Sequence, residues 1–155
     1  MFSRTFLIAS LVVSTIAAPT TSFVKRQLVG QVLQEVQNGG IPGNATLDNA
    51  RIVQNECNIQ VGPDDSAFLI ARAFLRNAAP GSTAAENGLC GRLDATVFAL
   101  DASGVILDTT KSWLAPVGIC EECDAGSVIL NSKAFAELGG NPAVGVIPNV
   151  FPRFG

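Results

Sequence analysis

Residues 115–154 read APVGICEECDAGSVILNSKAFAELGGNPAVGVIPNVFPRF, and the reading of this stretch decides the fold. A β-like run ends at Cys120, a C-x-x-C pair follows, and Asn131 stands where a helix over Ser132 to Leu138 needs an N-cap. An asparagine there accepts from a free backbone N–H of the first turn. Gly139-Gly140 and then Pro142 stop that helix, and Ala143 to Ile147 reads as the last strand.

Upstream the strand signals continue. LDATVFALD and GVILDTT are apolar runs separated by Ala102-Ser103-Gly104, a hairpin pattern, and Ser112 to Ile119 forms a further strand. Ser66 to Leu75, SAFLIARAFL, is an unbroken apolar run that periodicity alone leaves open between strand and helix. Asn77 to Asn87 is a loop by its Pro, Gly, Ser and Thr content, and ATLDNARIV shows only weak alternation before Cys57. Many short strands with one inserted helix predict a small, mainly β barrel.

The N-terminus tells where this barrel works. MFSRTFLIASLVVSTIAA carries one early cation, Arg4, an apolar run from Phe6 to Val13 and small residues at Ala17-Ala18. This is the pattern of a secretory signal peptide over residues 1–18, too short for a membrane span. Lys25-Arg26 is a dibasic processing site closing a propeptide over residues 19–26, so cleavage leaves Gln27 first and a eukaryotic, fungal secretory route is expected. Without residues 1–26 the chain keeps seven cations against thirteen acids, a formal charge of −6. That balance argues against nucleic acid or anionic lipid as partner. The expected product is a monomeric, extracellular single domain over residues 43–155, preceded by residues 27–42. Within these, QLVGQVLQEVQ (27–37) has helical spacing, and two readings stand open, a short amphipathic helix or an arm.

Cys57, Cys90, Cys120 and Cys123 form an even set in an oxidising compartment, which reads as two disulfides. Three pairings are possible; the close C-x-x-C favours Cys120–Cys123, leaving Cys57–Cys90. A four-cysteine zinc site is the rival, disfavoured by export. A thioredoxin-like redox motif is disfavoured because Glu121 and Glu122, between the sulfurs, oppose a thiolate. No metal or cofactor is expected. The chain has no histidine, which removes Ser-His-Asp and Cys-His systems and any imidazole base. Chemistry, if present, falls to carboxylates.

GNATLDN at Gly43 to Asn49, LCGR at Leu89 to Arg92, GICEEC at Gly118 to Cys123, ILNSKAF at Ile129 to Phe135 and VGVIPNVF at Val144 to Phe151 together resemble RlpA-like, barwin-like and expansin-like proteins. The resemblance is specific in the last third of the chain and weak in the first. It implies a six-stranded double-psi β-barrel with one or two short helices and a structural pseudo-twofold. It also implies a groove holding cell-wall polysaccharide, with an acid two residues before the first cysteine of C-x-x-C and another opening the D-L-S helix segment. Here those positions are Gly118 and Ile129, and Leu47-Asp48 replaces paired tyrosines.

Hydrolysis of a glycosidic bond needs a proton donor and a second carboxylate, so the expected activity is non-catalytic. Asp65, Asp94, Asp108 and Trp113 are the candidate groove residues. Asp64, Asp101, Glu121, Glu122 and Asp124 read as turn or solvated acids, and Trp113 as a core residue in competition with a sugar platform. Asn44-Ala45-Thr46 is an N-glycosylation acceptor expected on a loop. Binding of cell-wall polysaccharide is the first functional reading, a protein-interaction scaffold the second and a lytic glycan enzyme the third.

Overall fold

The computed structural model describes residues 42–75, 78–105 and 111–154, with side chains of 111–113 left aside. The expected signal peptide, Lys25-Arg26, the 27–37 segment and Asp108 lie outside the described residues, as does the side chain of Trp113.

Six strands close into a barrel: β1 (Gly43–Leu47), β2 (Ala67–Ala71), β3 (Ala95–Ala99), β4 (Lys111–Cys120), β5 (Val128–Leu130) and β6 (Val146–Phe154). Their order around the barrel is β1-β5-β2-β4-β3-β6. The β1–β5 and β2–β4 pairs are parallel, and the β1–β6, β2–β5, β3–β4 and β3–β6 pairs antiparallel. Exchanging β1, β2, β3 for β4, β5, β6 maps every pair onto one of the same sense. This is the internal twofold expected of a double-psi barrel.

Two short α-helices complete the described residues, α1 (Asn49–Val53) and α2 (Ser132–Glu137). Sequence alternation misses α1. Its start is set by Asp48, whose Oδ1 accepts from Arg51 N at 3.2 Å, so the chain turns helical directly after β1. Asn131 caps α2 as expected, accepting from Ala134 N at 3.1 Å, and its amide donates to Asp65 O at 2.7 Å. One asparagine thereby starts a helix and ties it to the segment before β2.

SAFLIARAFL resolves into β2 and a 3₁₀ turn at Arg72–Phe74. All of β2 is buried because both faces are covered: Phe68 and Ile70 point into the barrel core with Val97, Leu114, Val128, Leu130, Phe135 and Val150, while Ala67 and Leu69 join a second cluster outside. A continuous apolar run is what such a strand requires. The last strand begins later than the sequence suggests. Residues 141–145 form a turn through Gly145, whose φ of +72° suits glycine, and pairing starts at Val146.

In β4 the register slips between Phe68 and Leu69, whose partners are Pro116 and Gly118. The extra residue, Val117, turns its carbonyl to accept Cys57 N at 3.2 Å. The bulge begins beside a proline that has no N–H for the ladder. Cys57–Cys90 and Cys120–Cys123 are the disulfides, as expected, each with a Cα–Cα distance of 5.4 Å. No described helix is long and apolar enough to cross a membrane.

Candidate functional site

Five residues lie in one row across adjacent strands on the outer face of the barrel. Val146 pairs with Thr46, Thr46 with Ile129, Ile129 with Leu69, and Leu69 with Gly118. Both positions where the resemblance calls for an acid, 118 and 129, fall in this row. Ile129 and Leu69 are each 4% exposed and pack with Ile52, Ala67, Val117 and Cys120. A Cβ added at Gly118 would stand 2.8 Å from Leu69 Cδ2. The leucine already occupies the space that a side chain at 118 would fill.

Putting the acid back is therefore expected to hurt without helping. Gly118→Asp must displace Leu69 and bring a carboxylate into an apolar cluster, a loss of roughly 3 kcal/mol. Chemical denaturation measures that loss, and incubation with wall polysaccharide is expected to release no soluble sugar.

Helix α1 covers this seam with Ile52, which is fully buried. Arg51, on the same helix, pairs with Glu122, and Arg72 after β2 pairs with Glu121. The Arg72 guanidinium also donates to Ser82 O (2.5 Å) and Ser82 Oγ (3.0 Å). Two arginines thus clasp the C-x-x-C turn to α1 and to the loop before Cys90, a use of Glu121 and Glu122 that the sequence reading as solvated acids missed. Glu56 is a structural acid too, accepting from Ala84 N at 2.9 Å.

Two depressions, of about 390 and 410 Å³, flank α1. Asn49, Ile52, Val53, Val61, Pro63 and Lys133 are among the residues lining the first, and Gln54, Asn55, Asn58, Ile59 and Gln60 join Val53 in the second. Neither lining contains a carboxylate or an aromatic ring.

The two candidate groove acids among the described residues, Asp65 and Asp94, are engaged within their own segments, as is the turn acid Asp101. Asp65 Oδ2 closes a turn by accepting from Gly62 N at 2.7 Å. Asp94 takes a bidentate pair from Arg92 at 2.7 and 2.5 Å, and that guanidinium lies 4.7 Å over the Phe154 ring. Asp101 accepts from Ser103 Oγ and from Val105 N in the turn after β3. The Arg92 hydrogen bonds hold the Asp94 carboxyl below its ordinary range, and those from Arg72 do so for Glu121. Glu122 is lowered first by a backbone N–H and then by Arg51, and Asp101 first by Ser103. A glycosidase acid needs the opposite shift, upward.

Depressed carboxyl values set the sign of the pH dependence. Each of these groups contributes stability above the unfolded carboxyl range, near pH 4, and that contribution is lost as pH falls through the lower folded value. The thermal midpoint is expected to stay level from pH 7 to about pH 5 and to drop below roughly pH 4.5. Glu121→Gln should flatten part of the drop, read by calorimetry across the pH series.

Asn44 and Thr46 sit on the exposed face of β1, a strand rather than the expected loop. Beside β1, from Leu138 to Pro152, the chain carries no charge, although residues 141–144 are exposed. Val144 is 66% exposed and Val146 41%. The segment is pinned: Val144 N and Gly145 N both donate to Asn141 O at 3.0 Å, Leu47 N donates to Gly145 O at 2.9 Å, and Leu100 N to Asn149 O at 2.7 Å. Sequence reading passed it over as the tail of a helix and a strand. The signal available was the missing charge.

No family model matches the chain, and no curated protein matches it. Among solved structures it is similar to Streptomyces papain inhibitor (SPI), at 18% identity, over 74% of this chain and 92% of that one, with a TM-score of 0.49.

Proposed function

We propose that this chain is a secreted, non-catalytic barrel of the RlpA-like and expansin-like kind that binds an extracellular protein, with the surface between Asn141 and Pro148 as the contact. The single observation that carries this reading is an exposed, pinned and uncharged segment with Val144 and Val146 at its surface. Interface cores are depleted of charge because charged groups are costly to desolvate. Covering the exposed parts of the two valines contributes roughly 1 to 2 kcal/mol for Val144 and about 1 kcal/mol for Val146. The segment has little freedom left to lose on binding, which lowers the cost of association.

The non-catalytic part of the proposal rests on the outer row, where Gly118 and Ile129 stand in place of acids and Leu69 fills the space beside Gly118. Cell-wall polysaccharide is the weaker reading because sugar recognition favours exposed rings beside polar groups, and the depressions flanking α1 offer none. Among the described phenylalanines Phe68, Phe98, Phe135 and Phe151 are buried, and Phe74 and Phe154 are half-buried and packed on one another.

The test compares wild-type protein with the Val144→Asp/Val146→Asp double variant. Each is immobilised and exposed to extracellular fluid of the source, and also sedimented with chitin, cellulose and peptidoglycan. The expected result is saturable binding of a protein that the double variant weakens at least tenfold, with no glycan co-sedimentation. Saturable glycan binding that survives the double substitution would overturn the proposal.

A further inference from the structure

The Cys120–Cys123 disulfide has surroundings that the sequence does not show. Cys120, at the end of β4, is buried, and Cys123 is half-buried. Arg51 Nη2 stands 3.8 Å from Cys120 Sγ. Glu121 and Glu122, whose charges were expected to oppose a thiolate, are each neutralised by an arginine, Arg72 and Arg51. The electrostatic objection to a reactive C-x-x-C is thereby weakened, and the same guanidinium that pairs with Glu122 also faces one of the two sulfurs.

We infer that Cys120–Cys123 is a thiol-exchange site for small thiols, with Cys123 the sulfur attacked and Cys120 the sulfur that leaves. A thiolate RS⁻ forms a bond to Sγ of Cys123, the less buried of the two residues, while the Sγ–Sγ bond breaks. The electron pair goes to Cys120 Sγ, beside the Arg51 guanidinium. A neighbouring cation lowers the pKa of the departing thiol, and a lower leaving-group pKa speeds exchange. A second thiolate then attacks the mixed disulfide, releasing Cys123 and RSSR. In sum, two RSH are oxidised to RSSR while the protein disulfide takes up two electrons and two protons as two thiols.

The consequence reaches the apolar seam. The disulfide closes the turn that presents Glu122 to Arg51, and Arg51 belongs to α1, whose Ile52 covers Leu69 and Ile129. Opening the turn removes one tether of that helix. Amide exchange over residues 49–53 is expected to rise on reduction while the strand amides stay protected.

The experiment exposes the folded full chain to reduced glutathione under native conditions, quenches with an alkylating reagent and maps the labelled peptides by mass. The expected labels are at Cys120 and Cys123 with Cys57–Cys90 intact, and the trapped mixed disulfide is on Cys123. Arg51→Gln should react roughly three- to tenfold slower, because the leaving thiolate loses its cation. Glu122→Gln should react faster, because it frees Arg51 for Cys120. A merely structural salt bridge would accelerate both variants alike, since both break it. Acceleration of both, labelling of all four cysteines together, glutathione trapped on Cys120, or unchanged exchange at 49–53 each overturns the inference. Denaturant midpoints for each variant separate a chemical effect from a change in folding.

Discussion

Replacing Cys57 and Cys90 together by alanine is expected to lower the stability of the barrel by about 4 kcal/mol. The cross-link spans 33 residues, and chain-entropy arithmetic for a loop of that size yields this value at room temperature. The same arithmetic for Cys120–Cys123, separated by three residues, gives about 2 kcal/mol. For a single domain whose total stability is of order 5 to 15 kcal/mol, the first loss takes away a large share. The reason lies in what the bond spans. Between the two cysteines run β2, the 3₁₀ turn at Arg72–Phe74 and the loop held by Arg72. Urea titrations of the two double variants, Cys57→Ala/Cys90→Ala and Cys120→Ala/Cys123→Ala, check the ratio. Equal losses would contradict the chain-entropy account, in which each bond restrains the unfolded chain according to the length of the loop it closes.

Gly43→Ala should be the second large loss, at about 3 kcal/mol or more. A Cβ at 43 would stand 2.2 Å from Ser127 N, 2.3 Å from Gly126 C and 2.6 Å from Ser127 Cα. All three are backbone atoms, so no side chain can swing aside. Gly43 opens β1 where its register against β6 shifts, and the approach of residues 126–127 leads directly into β5, the parallel partner of β1. The substitution therefore pushes apart two strands of a closed barrel. Gly81→Ala supplies the contrast: nothing lies within 4 Å of its added Cβ, and only its φ of +74° opposes the change. That conformational strain costs about 1 kcal/mol. Thermal melts of the two variants should separate widely, and a Gly43→Ala melt close to that of Gly81→Ala would contradict the packing described at the start of β1.

Parts of the architecture were readable because they depend on neighbours in sequence. Asn131 announced α2 since a cap bonds to a residue three positions on, and Gly139-Gly140 marked its end for the same reason. A C-x-x-C that can close on itself favoured one of the three cysteine pairings, and the structure decided for it. Helix α1 was hidden in ATLDNARIV because five residues are too few to establish a helical period, and only the bond from Arg51 N to Asp48 reveals it. The start of β6 was misplaced because turn and strand there share the same uncharged, apolar composition.

The functional positions divide along the same line. That Gly118 and Ile129 are not acids is plain in the chain, and so is the absence of histidine; both are matters of composition at a position. What fills the space is not, since Leu69 reaches Gly118 from a strand 49 positions earlier through a bulged parallel pair. Nor could spacing show that Arg51 and Arg72 take up Glu122 and Glu121 across 71 and 49 residues. The sequence by itself determined a small, mainly β domain with two disulfides and a capped helix, because periodicity, capping and local cross-links act within a few residues. Only the tertiary structure decided that the place of the expected acids is a closed apolar seam and that an uncharged segment stands exposed beside it. Those properties arise where strands distant in sequence become neighbours, and there the shape left by one side chain settles what the next can be.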